Sequence, residues 1–343
     1  MAGREFFNTE TSILNTKNLQ AGFFIGGKFY PAIEDINIEI KPGKVVCVVG
    51  ESGSGKSVTA LSIMSLLPKE NGSIQEGEIL FEGRNLVDLS QDDMNEIRGK
   101  DIGMIFQEPM TSLNPVFTIG FQVQEVLLNH LSISKSEARE RSIQLLRQVG
   151  ISRPEEIVDE YPHQLSGGMR QRVMIAMAIA NNPKLLIADE PTTALDVTIQ
   201  AQILELIKEI QKKMNMAVML ITHDLGVVAE MADEIIVMYA GQIVEQSDTY
   251  SIFYNPKHPY LKLLLQSIPR LDENRERLDS IKGIVPSLTN IDRTGCRFTD
   301  RCPEAKDECR QISPQLAELG GGHKVRCLLY KESYPTEKAV TNR

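Results

Sequence analysis

Hydrophobic and polar residues follow three successive patterns along the chain. Before about residue 110, the alternation in AIEDINIEIKPGKVVCVVG predicts short strands with a turn at Pro42-Gly43. Between about 116 and 182, apolar residues recur at helical spacing, as in IGFQVQEVLLNHL, and Gly150 stands where one helix would end. Residues 184–245 contain the strands KLLIAD and AVMLITH, separated by the helical stretch VTIQAQILELIKEIQKK. Alternating strands and helices predict an α/β fold with a parallel sheet and a helical insertion.

Composition narrows the class of protein. A chain of 343 residues suggests two or three domains, and 42% hydrophobic and 24% charged residues are typical of a soluble globular protein. The net charge of −9 argues against nucleic-acid binding. We find neither an apolar run of about 18 residues nor the apolar core of a signal peptide, and therefore expect a cytoplasmic protein. In that compartment the five cysteines are expected to be thiols or metal ligands, not disulfides.

A glycine-rich segment lies between the strand VVCVV and the helix KSVTALSIMSLL. Residues 50–57, GESGSGKS, fit the phosphate-binding pattern G-x-x-x-x-G-K-[ST]. Glycines let backbone N–H groups turn toward phosphate oxygens, and the helix N-terminus adds partial positive charge. Lys56 would reach the β- and γ-phosphates, and Ser57 would bind Mg²⁺. The predicted nucleotide contacts are Gly50, Ser52, Gly53, Ser54, Gly55, Lys56, Ser57 and Val58.

Two carboxylates end the apolar strand LLIADE. Asp189 is suited to holding Mg²⁺ through a water molecule, and Glu190 to polarising an attacking water. Taken alone, this pair is equally typical of an acidic helix start. Its position after a phosphate-binding loop in an α/β pattern favours nucleotide hydrolysis.

The order of these motifs resembles the ATP-binding cassette superfamily. LSGGM, residues 165–169, is similar to that family's signature sequence LSGGQ, and Ser166, Gly167 and Gly168 start a helix that offers a second anion-binding terminus. The resemblance covers about residues 10–250. It implies an ABC nucleotide-binding domain, made of a P-loop NTPase core, an antiparallel β subdomain and a helical subdomain at about 116–182.

The resemblance also implies roles for single residues. Gln107 in MIFQEP matches the Q-loop glutamine, which contacts Mg²⁺ and senses the transport partner. Asp196 in TALD matches the D-loop, and His223 in LITHD matches the switch histidine, which contacts the γ-phosphate. Family members pair two cassettes head to tail, so Ser166 would serve the nucleotide of the second subunit. The family also stacks an aromatic ring on adenine, for which the candidates are Phe24, Phe29 and Tyr30.

Further strings resemble one branch of this family, the larger ATPase subunit of dipeptide and oligopeptide importers. Met169 replaces the usual glutamine of the signature, but the helix start is intact and we expect ATP competence. LSGGMRQRV, QEPMTSLNP and NPKHPYLKLLLQSIPR all resemble this branch. The last string, residues 255–270, predicts a proline-initiated amphipathic helix with Leu261, Leu264 and Leu265 on one face.

Four of the five cysteines lie close together in the sequence, near the C-terminus. Cys296, Cys302, Cys309 and Cys327 form a C-x₅-C-x₆-C-x₁₇-C pattern, a complete ligand set for a 4Fe–4S cluster or zinc. The short knuckles of zinc ribbons are absent, and GCRFTDRCPEAKDEC resembles the 4Fe–4S segment of dipeptide-importer ATPases. We expect the cluster, with zinc and four unligated thiols as alternatives, and a structural role for it. Cys47, inside VVCVV, is expected in the core.

These features predict two regions and a set of partners. Residues 1–250 would form the nucleotide-binding domain and 251–343 an appended C-terminal module with the cysteines at 296–327. The resemblance implies a peripheral subunit on the cytoplasmic face, bound to two permeases around Gln107 and the helical insertion. It also implies a second, homologous ATPase subunit, although a homodimer fits the sequence, and an extracytoplasmic peptide-binding protein.

The alternative functions are import of an oligosaccharide or nickel complex, a cassette protein acting on nucleic acid or ribosomes, and an iron–sulfur regulatory module with vestigial ATPase activity.

Overall fold

The computed structural model describes residues 12–107, 112–193, 195–267 and 281–333. Residues 108–111 of QEPMTSLNP, Ala194 of TALD and 268–270 of the C-terminal string lie outside these ranges. In their described parts, internal contacts divide the chain into two compact units. The first unit comprises Met1–Asn15, Glu39–Val45 and Ile79–Ile221, and the second comprises Thr16–Ile38, Val46–Glu78 and Thr222–Arg343.

The described residues contain thirteen strands and ten α-helices. The strands are β1 Leu14–Ile25, β2 Lys28–Ile36, β3 Glu39–Ile40, β4 Val45–Val49, β5 Gly72–Phe81, β6 Arg84–Asn85, β7 Ile102–Ile105, β8 Leu185–Asp189, β9 Ala217–Ile221, β10 Glu234–Tyr239, β11 Gln242–Asp248, β12 Ala317–Glu318 and β13 Lys324–Val325. The helices are α1 Lys56–Ile63, α2 Gln91–Ile97, α3 Ile119–His130, α4 Lys135–Gln148, α5 Pro154–Ile157, α6 Gly167–Ile179, α7 Val197–Met214, α8 Leu225–Met231, α9 Thr249–Tyr254 and α10 Pro259–Gln266.

Parallel strands form the centre of the first unit. β8 pairs in parallel with β7 on one side and with β9 on the other, and α7 connects β8 to β9. All residues of β8 and β9 are buried, which explains their continuous apolar sequences. The α/β alternation predicted for residues 184–221 is therefore confirmed.

The helical insertion also lies in the first unit. Buried Ile119, Val123 and Leu127 recur every four residues along α3, as a helix with one buried face requires. The Thr118 and Ser134 hydroxyls cap α3 and α4 by accepting backbone N–H groups of their first turns. Gly150, at a φ of 75°, follows the end of α4, in the conformation that glycine adopts there at least cost.

In the second unit, β10 pairs in parallel with β4 and in antiparallel fashion with β11. The turn between β10 and β11 consists of Ala240 and Gly241, both at positive φ, as in the tight hairpins that match strand twist. β11 continues through β13 to β12. Cys47 is fully buried in β4, where burial raises the pKa of its thiol, and it is a core residue as expected.

The antiparallel part of the fold includes β1. β2 pairs with β1 through the Gly26-Gly27 turn, and β3 pairs with the first residues of β1. β5 and β6 form another antiparallel pair. These pairings agree with the antiparallel strands expected in the N-terminal part of the chain.

Described residues of the C-terminal region belong to the second unit, which also contains the glycine-rich loop of residues 50–57. α10 begins after His258, whose Nδ1 accepts the Tyr260 N–H at 3.0 Å. Tyr239, Tyr260 and Phe298 form an aromatic cluster with ring centroids 4.8–5.3 Å apart. Strand β10, helix α10 and the residues beyond 281 therefore share one buried core.

A buried carboxylate holds the same core together. Glu245 on β11 accepts the backbone N–H groups of Lys257 and His258, at 2.8 and 2.6 Å, and contacts His323 Nε2 at 2.8 Å. Because desolvation disfavours its charged form, burial raises the pKa of Glu245. These bonds fix the start of α10 against β11.

Helices in the described ranges are all too short or too polar to cross a membrane.

We expect Phe298→Ala to lower the free energy of unfolding by about 3–5 kcal/mol, because Phe298 is 1% exposed and fills the aromatic cluster. Urea denaturation of the full chain would measure the loss. Ile312→Ala is the matched control, since Ile312 is 48% exposed and should lose less than about 1 kcal/mol. Equal losses in the two variants would contradict the packing described for Phe298.

Candidate nucleotide-binding site

The segment after β4 forms a loop whose path depends on glycine. Gly50 has a φ of 152°, and a Cβ there would lie 2.3 Å from the carbonyl oxygen of Met238 on β10. Gly55 has a φ of 104°, and a Cβ there would lie 2.7 Å from Ile33 Cγ2. Any larger residue at these positions would displace backbone or a core side chain. The glycines predicted from sequence are thus required by close backbone packing.

The lysine of the motif folds back over its own loop. Lys56 Nζ donates to the carbonyl oxygens of Gly50 and Glu51, at 2.8 and 3.0 Å, and lies 3.5 Å from Ser54 Oγ. Lys56 is only 5% exposed. The ammonium group is therefore held close to the loop backbone, where a bound phosphate would be within its reach.

Helix α1 begins at this lysine. Its N-cap is Gly55, no side chain caps its first turn, and no acidic residue lies in that turn. Uncapped N–H groups and the helix dipole favour an anion at this end. Ser57 and Val58 follow in the first turn and are partly exposed, and Ser52 and Gly53 are exposed at the tip of the loop.

Glu190 lies at the end of β8 in the first unit, in a left-handed conformation with a φ of 46°. Its Oε2 accepts a hydrogen bond from Gln107 Nε2 at 3.0 Å and another from Thr193 Oγ1 at 2.9 Å. Its backbone N–H donates to the Ile221 carbonyl at 2.9 Å. Backbone strain of this kind persists when the surroundings over-determine it and is concentrated at functional sites. Asp189, one residue earlier, is 5% exposed.

The signature motif begins α6 in the first unit. Ser166 Oγ accepts the Met169 N–H at 3.3 Å, so Met169 is compatible with the helix start. A Cβ on Gly168 would lie 2.9 Å from Ile199 Cγ2. Asp196 Oδ1 caps α7 by accepting the Ile199 N–H at 3.0 Å. Glycine at 168 thus lets the signature pack closely against the helix that Asp196 starts.

His223 and the aromatic candidates lie in the second unit. His223 is exposed, between buried Thr222 and Asp224, the residue that caps α8. Phe24 and Phe29 face each other across β1 and β2 with centroids 5.3 Å apart. Tyr30 lies beneath the Lys28 ammonium at 5.2 Å.

The four C-terminal cysteines line one cavity, together with His258, Phe298 and Leu328. None of them is in a disulfide. Burial raises the pKa of the Cys302 and Cys327 thiols to about 11 and also raises that of Cys296, with further contributions from neighbouring cysteines. In the described ranges, however, no three Cys, His, Asp or Glu side chains are grouped closely enough to hold a metal ion. The expected C-terminal metal-binding module, whether 4Fe–4S or zinc, is therefore not supported.

Comparison with known proteins identifies the family. The chain is 53% identical to the oligopeptide transport ATP-binding protein AppD of Bacillus subtilis (strain 168) over 322 residues, which is 94% of this chain and 98% of AppD. Residues 33–193 match the family described as ABC transporter. The chain belongs to the ABC transporter family. Residues 244–309 match the oligopeptide/dipeptide transporter C-terminal region.

Further relatives place the ABC chain more narrowly. It is 50% identical to the dipeptide transport ATP-binding protein DppD of Escherichia coli (strain K12), over 96% of this chain and 98% of DppD. Among solved structures, it resembles the ATP-binding cassette MJ0796 in a dimeric, post-hydrolysis state bound to ADP and Pi. The TM-score is 0.62 at 31% identity, covering 69% of this chain and 98% of that one. The cassette fold and the ATPase class predicted from sequence are confirmed.

Sequence reasoning missed three contacts of this ABC ATPase. Thr193 donates to Glu190, and Arg301 and Tyr260 both contact Glu51 of the glycine-rich loop. A threonine three residues after Glu190 was a visible signal for the first contact. The other two join residues more than 200 positions apart, and no local pattern reports them.

We expect Lys56→Ala to weaken ATP binding by about 100-fold, because it removes the ammonium group from the loop that would bind phosphates. Equilibrium dialysis with radiolabelled ATP and Mg²⁺ measures the change. Lys208→Ala, on α7 in the other unit, serves as the control and should leave affinity unchanged. Wild-type affinity in Lys56→Ala would refute the assignment of the loop.

Proposed function

We propose that this chain is the ATP-hydrolysing subunit of an ABC importer of dipeptides or oligopeptides. The match of residues 244–309 to the oligopeptide/dipeptide transporter C-terminal region carries the proposal. The names of AppD and DppD, for oligopeptide and dipeptide transport, support it. The same machinery serving an oligosaccharide or a nickel complex is the alternative, and cargo is then decided by partner proteins.

ATP would bind to the loop of residues 50–58. Its N–H groups and the uncapped start of α1 suit phosphate oxygens, and Lys56 supplies a positive charge. The Ser57 hydroxyl, the Asp189 carboxylate and the Gln107 amide oxygen are ligands of the kind Mg²⁺ prefers. Gln107 donates to Glu190 through its amide nitrogen, so its amide oxygen is the atom that would bind Mg²⁺. When bound, Mg²⁺ would neutralise charge on the phosphates.

Glu190 is the proposed general base. It would accept a proton from the water that attacks the γ-phosphorus of ATP, as the bond from phosphorus to the β–γ bridging oxygen breaks and ADP and phosphate form. Two donors on Oε2 fix the orientation of its carboxylate. His223, exposed at the end of its strand, would contact the γ-phosphate.

The site would be completed by a second ABC ATPase subunit. Ser166, Gly167 and Gly168, with Asp196 nearby, would bind the nucleotide held by that subunit. The solved MJ0796 cassette, which this chain resembles, is dimeric, and this supports pairing of cassettes. A homologous partner is favoured over a second copy of this chain.

The subunit would act at the cytoplasmic face of the membrane on two permeases. Phe117 and Phe121 stack at 4.6 Å between centroids, and both are more than 40% exposed beside Val116, which is 68% exposed. This apolar patch on the helical insertion suits a permease surface. A peptide-binding protein outside the membrane would deliver the cargo, and no nucleic acid takes part.

We divide the chain by function into a nucleotide-binding domain, 1–250, and a C-terminal region, 251–343.

Phe24 is the favoured adenine contact of the three candidates. It is 43% exposed, whereas Phe29 and Tyr30 are less exposed and Tyr30 is covered by Lys28.

The cysteine cavity is proposed to hold a 4Fe–4S cluster. A single zinc ion would need all its sulfur ligands within about 2.3 Å of one point. In a cluster each thiolate binds a different iron, so the four sulfurs stand further apart. The support for the cluster is that all four cysteines line one cavity and that the short knuckles of zinc ribbons are absent from their spacing.

We expect Glu190→Gln to abolish peptide import, because it removes the proposed base while retaining ATP binding, and to slow ATP hydrolysis by at least about 100-fold. Uptake of a radiolabelled dipeptide and tripeptide is measured in cells that express the permeases, the partner ATPase and this chain. Glu205→Gln, exposed on α7, is the control and should import normally. If cells with the wild-type chain import a sugar or a nickel complex but no peptide, the alternative cargo is favoured.

Protein purified without oxygen should be brown, absorb at roughly 400 nm and contain about four irons per chain, because thiolates bound to iron absorb there. Cys302→Ser should lower the iron content, and Cys47→Ala, in the core, should not. A colourless preparation with one zinc per chain would refute the cluster.

A further inference from the structure

Glu51, the second residue of the phosphate loop, has two partners in the C-terminal region. Arg301 forms a two-pronged ion pair with its carboxylate, with Nη1 donating to Oε2 at 2.7 Å and Nη2 donating to Oε1 at 2.9 Å. The Glu51 backbone N–H donates to the Tyr260 hydroxyl at 3.0 Å. All three residues lie in the second unit.

Arg301 is fixed by its surroundings. Its side chain is 6% exposed, and its guanidinium lies 5.6 Å from the Tyr239 ring centroid and 6.0 Å from that of Phe298. It also donates to the Lys282 carbonyl at 2.9 Å. Hydrogen bonds to Glu51 are the main cause that raises the pKa of Arg301 above its ordinary value. The pair therefore consists of a permanently charged, nearly buried guanidinium and a carboxylate whose side chain is 30% exposed.

The negative charge of Glu51 matters because the loop is assigned to bind the triphosphate of ATP. A carboxylate beside a triphosphate repels it, and the repulsion is stronger where the protein limits solvent screening. The other charged side chain in residues 50–58 is Lys56, and its positive charge is assigned to the phosphates, so it does not neutralise Glu51. The Arg301 guanidinium contacts this carboxylate directly and so can neutralise its charge.

We propose that Arg301, from the C-terminal region, neutralises Glu51 and thereby allows the phosphate loop to bind ATP tightly. The proposal rests on the assignment of residues 50–58 as the ATP site. It makes Arg301 a positioning residue for nucleotide binding, about 250 residues away from the motif in sequence. Tyr260 supports the same loop by accepting the Glu51 N–H.

The test measures the affinity of the full chain for an ATP analogue with a fluorescent N-methylanthraniloyl group on its ribose. We expect Arg301→Gln to weaken binding about tenfold, equivalent to about 1.4 kcal/mol. Glu51→Gln alone should bind at least as tightly as wild type. The double variant should return to within about twofold of wild type, because no unpaired carboxylate remains.

Arg139→Gln is the matched control, since Arg139 makes an exposed two-pronged pair with Asp159 in the helical insertion. Its affinity should equal that of wild type. Arg301→Lys, which keeps the charge, should lose about threefold or less. If Arg301→Gln does not fold, the same comparison uses Arg301→Met, which removes the charge but keeps an apolar side chain near Tyr239 and Phe298, and adding Glu51→Gln is expected to remove the loss.

Unchanged affinity in Arg301→Gln would overturn the proposal. A double variant as weak as the single one would also overturn it, because Arg301 would then act through packing and not through charge. Failure of the ATP-site assignment is distinguishable, since it would show as normal binding in Lys56→Ala.

Discussion

The close approach of Gly50 to β10 is the constraint on which the path of the glycine-rich loop, residues 50–57, depends. Because Gly50 lacks a Cβ, its backbone lies against the Met238 carbonyl, and the loop that follows is held at the carboxyl ends of β4 and β10. This is where ligands bind in sheets of parallel strands. The next residue of β10, Tyr239, packs on Tyr260 and Phe298, and these surround Arg301, which returns to the loop at Glu51. One continuous set of contacts thus runs from the glycine through the core and back to the loop.

In the first unit, the feature that matters is the fixed orientation of the Glu190 carboxylate. Glu190 has an unfavourable backbone conformation and two side-chain donors, so its carboxylate is oriented before any ligand arrives. Pre-organised groups of this kind do not have to reorganise during the reaction. The signature helix and α7 meet through Gly168, so the residues that would face a partner's nucleotide are also pre-arranged. In both units, therefore, a segment that directly follows a buried strand carries proposed site residues, since residues 50–57 follow β4 and Glu190 follows β8.

Local patterns in the sequence were sufficient to predict the strands and helices of the α/β core and the ATPase family. β8, α7 and β9 were predicted because buried strands and an amphipathic helix differ in period, and the loop at residues 50–57 because few other sequences place glycines and lysine in that order. The contacts to Glu51 were not predictable, because an ion pair between positions 51 and 301 leaves no trace in either local sequence. The cysteine spacing gave the number of thiols but not their arrangement around a cavity, which depends on how residues 296–327 fold.

Arg301 stands immediately before Cys302, in a single turn of 3₁₀ helix, Thr299–Arg301. The C-terminal region therefore supplies a side chain that pairs with the glycine-rich loop of residues 50–57. A chain shortened before this turn would keep residues 50–57, but the Glu51 carboxylate would lose the guanidinium that pairs with it.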